Sequence, residues 1–295
     1  MRIPRVSILA SLCTLGNALC GFGAITWTTK ALLASDTQFE IFNRDVILAG
    51  YLVILAMVFD ALDGRVARFA RATSDFGGQL DSLCDAVSFG VAPAFLMNRV
   101  VVVALNKPDA AGPEKLLWIA WAFAAVYLGC ALIRLARFNV ENVHDEEAHI
   151  SFKGLPSPAA AGALVSLIIV VTKCCDLAEP SLLTSIILWI LPLVALVLGL
   201  LMVSNIRYTH ILNQFIRGRR PIGHLVLILL AIALVFLLPN ALLPVGFCAY
   251  VLSGPARSAW RRLSGRRAPP HTGPYGSGLN KDRMAAAPPT PETGP

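Results

Sequence analysis

The sequence predicts an all-α polytopic membrane protein, and three observations carry that reading. Of its 295 residues 56% are hydrophobic, and the mean hydropathy is +0.66. Only 15% are charged, against about 25% in soluble domains. The apolar residues also gather in runs as long as a bilayer is thick, at 7–29, 46–67, 79–98, 116–136, 157–173, 181–203, 222–238 and 240–253. The first six approach the roughly 20 residues that a helix needs to cross hydrocarbon. The last two are shorter and are separated only by Pro239 and Asn240, as in a tight helical hairpin or a re-entrant pair. Residues 1–255 are therefore expected to form one membrane-embedded unit of about eight helices, and 256–295 a basic juxtamembrane segment and tail.

The first run follows Arg2 and Arg5 and has no small-residue cleavage site before it continues, so it is expected to remain as an uncleaved span. Within SLCTLGNALCGFGAI the glycines Gly16, Gly21 and Gly23 predict close helix packing. Thr14 and Asn17, three residues apart, share one face of that helix.

The second and third runs flank the stretch on which the chain turns, DALDGRVARFARATSDFGGQLDSLCD from Asp60 to Asp85. Asp60 and Asp63 are three apart, and Asp81 and Asp85 four apart, so on two helices each pair projects from a single face. Gly64 and Ala67 fall on the first of those faces and Arg68 at its edge; Gly77 precedes Asp81 by one turn and Ser88 follows it by two. Small residues on both faces let two backbones approach and leave room for a ligand. Between them Thr73, Ser74 and Asp75 read as turn and N-cap residues.

Four ionised carboxylates inside apolar sequence need compensation, since each costs roughly 2.5 to 3.5 kcal/mol near a bilayer centre on insertion scales. Divalent cations supply it, and a two-metal pair can clamp a phosphoryl group undergoing displacement. An ion pathway or a polar cluster in a transporter would use carboxylates too, and spacing alone leaves both readings open.

The basic residues set the orientation. With eight crossings, 19 of the 25 Lys and Arg residues fall at the N-terminus, at 65–71, 134–153 and 204–220, and in the C-terminal tail. The positive-inside rule then puts both termini and the aspartates on the cytoplasmic side. This distribution accounts for much of the net charge of +7 and calls for no nucleic-acid partner. Asp60 lies about two turns before Arg68 and three before Arg71, which places it within roughly 10 to 15 Å of the cytoplasmic interface at 1.5 Å rise per residue.

Residues Asp60, Asp63, Gly64, Ala67, Arg68, Gly77, Asp81 and Asp85 fit D-x2-D-G-x2-A-R-x8-G-x3-D-x3-D without a departure. By that pattern the chain resembles the CDP-alcohol phosphotransferase family. TLGNALCGFGAI, RLARFNVE (134–141), FKGLPSPAAAG (152–162), MVSNIRY (202–208) and YVLSGP (250–255) are similar to its phosphatidylserine synthase branch, so the resemblance covers most of residues 5–255. One departure, Thr209 and His210 where members often continue with proline, lies outside the chemistry.

The resemblance implies a six-helix catalytic core, here with two short C-terminal membrane helices added. It further implies two divalent cations, Mg2+ or Mn2+, on Asp60, Asp63, Asp81 and Asp85, and Asp85 as the base that takes the proton of an incoming serine hydroxyl. CDP would be bound by Thr14, Asn17, Gly64, Ala67, Arg68 and Gly77. Arg134, Arg137, Lys153 and Arg207 are the cations available for the acceptor carboxylate, because arginine suits bidentate carboxylate contacts. The expected substrates are CDP-diacylglycerol and L-serine, in an inner (cytoplasmic) membrane with the site facing the cytoplasm, and the protein is expected to form a homodimer. Acceptors such as glycerol phosphate or an inositol phosphate remain alternatives within the family.

Cys13, Cys20, Cys84, Cys130, Cys174, Cys175 and Cys248 lack metal-ligand spacing and read as small apolar residues. His144 and His149 read as surface residues of a solvated loop. Beyond Gly254, ARSAWRRLSGRR reads as an interfacial helix whose arginines each contribute about 1 kcal/mol near anionic lipid. The Pro- and Gly-rich remainder is expected to lack fixed structure.

Overall fold

A computed structural model describes residues 5–33, 39–70, 75–105, 114–144, 152–175, 177, 181–208 and 239–264. The described residues are helical almost throughout: α1 (Arg5–Leu33), α2 (Phe39–Ala70), α3 (Asp75–Asp85), a π-helical turn (Ala86–Val91), α4 (Ala92–Leu105), α5 (Glu114–His144), α6 (Ser157–Cys174), α7 (Leu182–Val203) and α8 (Pro239–Leu263). Five stretches among the described residues are long and apolar enough to cross a membrane: Phe39–Arg65, Phe76–Ala104, Leu117–Val140, Ser157–Cys174 and Leu182–Val203. At 29 residues α1 is long enough as well, but it carries polar and glycine residues along the face that meets the rest of the bundle.

The spans are held together by small residues where helices approach and by branched ones where they part. Ala24 and Ala31 of α1 and Ala49, Val53 and Ala56 of α2 are buried in one continuous core with Leu164, Val165 and Ile168 of α6 and Leu188, Ala195 and Leu198 of α7. The outer sides of α1, α5 and α7 are apolar and exposed, as at Leu12, Leu19, Phe22, Trp118, Trp121, Leu182 and Leu183. That is the distribution of a bundle whose solvent is lipid, where packing and not water exclusion brings helices together.

Two boundaries differ from the sequence reading. The run at 79–98 is the middle of an uninterrupted span from Asp75 to Leu105 that passes through the π-turn. The run at 240–253 does not end before a separate interfacial helix: α8 continues to Leu263, with Pro244 and Pro255 inside it. A proline removes one donor and usually marks a boundary, yet both are accommodated here. Consequently residue 255, read as the edge of the membrane-embedded unit, lies inside a helix, and the chain divides into compact units at Met1–Ser258 and Ala259–Pro295. The run at 222–238, the turn at Thr73 and Ser74, His149 and the tail beyond 264 lie outside the described residues.

Among the described residues, strand structure is confined to β1 (Phe152–Lys153) and β2 (Arg207–Tyr208), which pair antiparallel with Phe152 opposite Tyr208 and Lys153 opposite Arg207. This clip ties the entrance of α6 to the exit of α7. It is extended by hydrogen bonds from Gly154 N to Ile206 O at 2.9 Å and from Leu155 N to Leu201 O at 3.0 Å. Tyr208 closes it onto α8 by donating to the Val251 carbonyl at 3.1 Å. Gly154 makes the turn possible. Its φ is +90°, and a Cβ there would run into the carbonyl oxygen of Met202.

Both objections to a side chain at residue 154 are steric, so Gly154→Ala is expected to lower the thermal stability of the solubilised protein, by about 1 to 3 kcal/mol for a strained backbone position. Thermal unfolding followed by tryptophan fluorescence checks this, and an unchanged midpoint would contradict it.

Candidate active site

α2 and α3 meet with their acidic faces together. Asp60 and Asp63 come from one helix and Asp81 from the other, and one carboxylate oxygen from each lies within 4.8 Å of the others. The helical offsets read from sequence thus become a three-sided oxygen cluster, with Asp85 one turn deeper along α3. Asp63 and Asp85 are 6% and 8% exposed, while Asp60 and Asp81 are half-buried.

The framework partners only part of this charge. The Thr14 hydroxyl and the Gly64 backbone N–H donate to Asp63, and Asn17 donates through Nδ2 to Asp85 Oδ1 at 2.9 Å. Asp63 Oδ2 and Asp81 Oδ1 are buried and have no hydrogen-bond partner among the described residues. Buried carboxylate oxygens are almost always satisfied, and these two face a cluster made wholly of hard oxygen donors. That donor set fits Mg2+ or Mn2+, which prefer a few carboxylates together with phosphate oxygens. Asp60, Asp63 and Asp81 would hold such ions, with Asp85 beside them.

The positions expected to receive the nucleotide divide into two groups. Gly64 is exposed beside Asp63, and a Cβ built there meets nothing within 4 Å. Gly77 is half-buried near the start of α3. Ala67 and Arg68 continue α2, but their side chains lie outside the described residues. Thr14 (6% exposed) and Asn17 (0%) are instead turned onto the aspartates. Their immediate partners are carboxylates, which the sequence showed only as polar residues on a shared face.

Of the four cations expected to meet the acceptor, Arg134 has side-chain partners among the described residues. It is half-buried, donates through Nη1 to the Ser157 hydroxyl, and lies within electrostatic reach of Asp60, Asp85 and the phenol of Tyr250. Lys153 and Arg207 are brought opposite one another by the clip, although their side chains are outside the described residues. Arg137 lies on α5, one turn beyond Arg134.

Several residues of this region were not singled out from sequence. Ser82 donates to Asn139 Oδ1 at 2.9 Å, linking α3 to α5 beside the aspartates, and only the position of Asn139 within RLARFNVE hinted at it. Ser157, fully buried at the start of α6, was hinted at only by its position within FKGLPSPAAAG. Asp45 is also fully buried, held by Arg44 at 3.1 Å and by Lys30 of α1 at 3.9 Å. It lies toward the opposite end of α2 from Asp60, so the motif is not the only place where an acid enters the apolar interior.

A family model for CDP-alcohol phosphatidyltransferase matches residues 7–201, a range that contains every aspartate of the cluster. The chain belongs to the CDP-alcohol phosphatidyltransferase family. Among characterised proteins it is 34% identical over 242 residues to a CDP-diacylglycerol–serine O-phosphatidyltransferase of Helicobacter pylori, covering 81% of this chain and 91% of the relative. A protein of the same name from Methanocaldococcus jannaschii is 37% identical over 163 residues, 55% of this chain and 64% of its own. Another, from Bacillus subtilis, is 30% identical over 162 residues, 55% and 76% respectively. As a CDP-alcohol phosphatidyltransferase the chain belongs with enzymes that work on CDP-linked substrates with divalent metal, and its apolar helices make it an integral membrane protein.

Because the space in front of Gly64 is open, Gly64→Leu is expected to leave the fold assembled and, if the nucleotide binds there, to weaken binding of CDP-diacylglycerol at least tenfold by occupying that space. Equilibrium binding of the labelled nucleotide to correctly inserted protein checks this, and unchanged affinity would move the nucleotide elsewhere.

Proposed function

We propose that the chain is a CDP-diacylglycerol:L-serine phosphatidyltransferase, making phosphatidylserine and CMP in phospholipid biosynthesis. The observation that carries it is the convergence of Asp60, Asp63 and Asp81 within 4.8 Å, with Asp85 adjoining them. The serine specificity is supported by the names of relatives whose length this chain nearly spans.

Two divalent cations, Mg2+ or Mn2+, would supply charge neutralisation at the pyrophosphate. The chain's own residues do the rest. The opening at Gly64 admits the nucleotide from the side on which the basic residues gather, while the acyl chains stay in lipid against the apolar outer faces. Arg134, held by Ser157, presents a guanidinium at the rim, with Lys153 and Arg207 across the clip; these are the groups suited to the serine carboxylate. Asp85 takes the proton as the serine oxygen forms its bond to the phosphorus that carries diacylglycerol. The bond from that phosphorus to the bridging oxygen breaks, and CMP leaves with the electron pair. A hydroxyl is a weak nucleophile at its free pKa, so a carboxylate placed to receive its proton contributes directly to rate.

The excess of basic residues on one side supports a cytoplasm-facing site in the inner membrane. The homodimer is proposed on the family resemblance alone; the mass of the detergent-solubilised particle measures it.

Purified protein given CDP-diacylglycerol is expected to release CMP on addition of L-serine and not of glycerol phosphate or an inositol phosphate, and to stop when divalent ions are chelated. In Asp85→Asn, metal-dependent binding of CDP-diacylglycerol should survive while serine-dependent CMP release falls by roughly 10² to 10⁴-fold, as is typical of general-base loss. Parallel loss of binding and turnover would make Asp85 a metal ligand and not the base. Preference for another acceptor would overturn the serine assignment.

A further inference from the structure

The span that carries Asp81 and Asp85 changes winding immediately after the site. Ala86–Val91 form a π-turn in which the Ala92 N–H reaches the Val87 carbonyl, five residues back. A π-turn holds one more residue than an α-helix spends on the same advance, so the helix beyond it is rotated by about 100° from its former register. Such turns need support from outside the helix, because they leave main-chain groups without the usual partner.

Two neighbouring helices give that support. Tyr127 of α5, fully buried, donates its hydroxyl to the Phe89 carbonyl at 3.0 Å. Ser88 donates to the main-chain carbonyl of Asn17 on α1 at 2.9 Å. This second contact requires close approach, since a Cβ on Gly21 would run into the Ser88 hydroxyl and come within 2.8 Å of Ser88 Cα. Asn17 also donates its side-chain Nδ2 to Asp85 Oδ1. The main chain of Asn17 is thus tied to the inside of the π-turn, and its side chain to the carboxylate that immediately precedes that turn.

We propose that Tyr127 is a positioning residue for Asp85. Its hydroxyl, by holding the Phe89 carbonyl, keeps the π-turn in the register that seats Ser88 on the Asn17 carbonyl, and so keeps the Asn17 amide on the Asp85 carboxylate. The inference rests on Asp85 being the group that receives the acceptor's proton. A carboxylate free to rotate would still be present and charged but would spend less of its time in line with the attacking oxygen, and displacements of about 1 Å can cost up to 10²-fold in rate.

Tyr127→Phe removes the strut and keeps the ring. It is expected to lower kcat about tenfold or more, while KM for both substrates and CDP-diacylglycerol affinity stay within about twofold of wild type and Tm shifts by no more than about 4 °C. The chain of contacts also predicts non-additivity: Tyr127→Phe combined with Asn17→Ala should be no slower than Asn17→Ala alone. Should Tyr127→Phe fail to insert, Ser88→Ala cuts the same chain one step nearer the site and should show the same kcat-only loss and the same non-additivity with Asn17→Ala. An unchanged kcat, multiplicative losses in the double variant, or KM and Tm moving together with kcat would each overturn the inference. Rates are read with whichever acceptor the wild type uses, so failure with serine alone retires the serine assignment and leaves the Tyr127 comparison intact. Full rate in Asp85→Asn would remove both the base and its positioning.

Discussion

Four carboxylates face one another across a helix interface inside a membrane protein, and the rest of the architecture answers to that constraint. Like charges this close repel, and each loses hydration on burial. The helices that carry them would separate or the acids would be neutralised if nothing opposed both effects. Only part of the answer lies in the chain: Thr14 and Gly64 on Asp63, Asn17 on Asp85, and Arg134 within reach of Asp60 and Asp85. The oxygens left without partners on Asp63 and Asp81 are those that divalent ions and a pyrophosphate would complete. Stability of the apo site and affinity for the nucleotide are therefore two sides of one balance.

The bundle around the site is arranged to hold this geometry without filling it. α1 has polar residues in mid-span because its inner face supplies donors to the aspartates, and its glycines let α2 and the π-turn come close. α5 contributes twice, through Arg134 at the rim and Tyr127 in the interior. The clip of β1 and β2 fixes the ends of α6 and α7 and sets Lys153 opposite Arg207. Arg134 and the paired positions Lys153 and Arg207 thus bring basic residues toward the ends of α5, α6 and α7. An ion pathway would have no need of that one-sided arrangement, and family membership sets that reading aside.

How much of this was legible in the sequence depended on the range of the interactions. The aspartate cluster could be read because its members sit at helical offsets of three and four residues, so local geometry alone put each pair on one face. Membrane class followed from composition. What escaped was non-local or without periodic signature. Asn17 and Asp85 are 68 residues apart, and nothing in either segment says which polar group takes which. The π-turn lies in a span apolar on nearly every side, where one inserted residue disturbs no visible pattern. The length of α8 escaped because the run at 240–253 stops being apolar near Gly254, whereas the helix continues through Pro244 and Pro255 to Leu263. Asp45 was passed over because it stands at the edge of an apolar run beside Arg44, where an ion pair at the interface is the simpler reading, yet it is fully buried.

Asp60, Asp63 and Asp81, with Asp85 beside them, would form one binding site for two divalent ions that the nucleotide completes. Electron paramagnetic resonance of Mn2+ titrated into the purified protein with saturating CDP-diacylglycerol tests it most directly. Two bound ions per chain, coupled to one another and lost together in Asp63→Asn and in Asp81→Asn, are the expected result. Mn2+ binding that is independent of the nucleotide, or that persists unchanged in both variants, would contradict it.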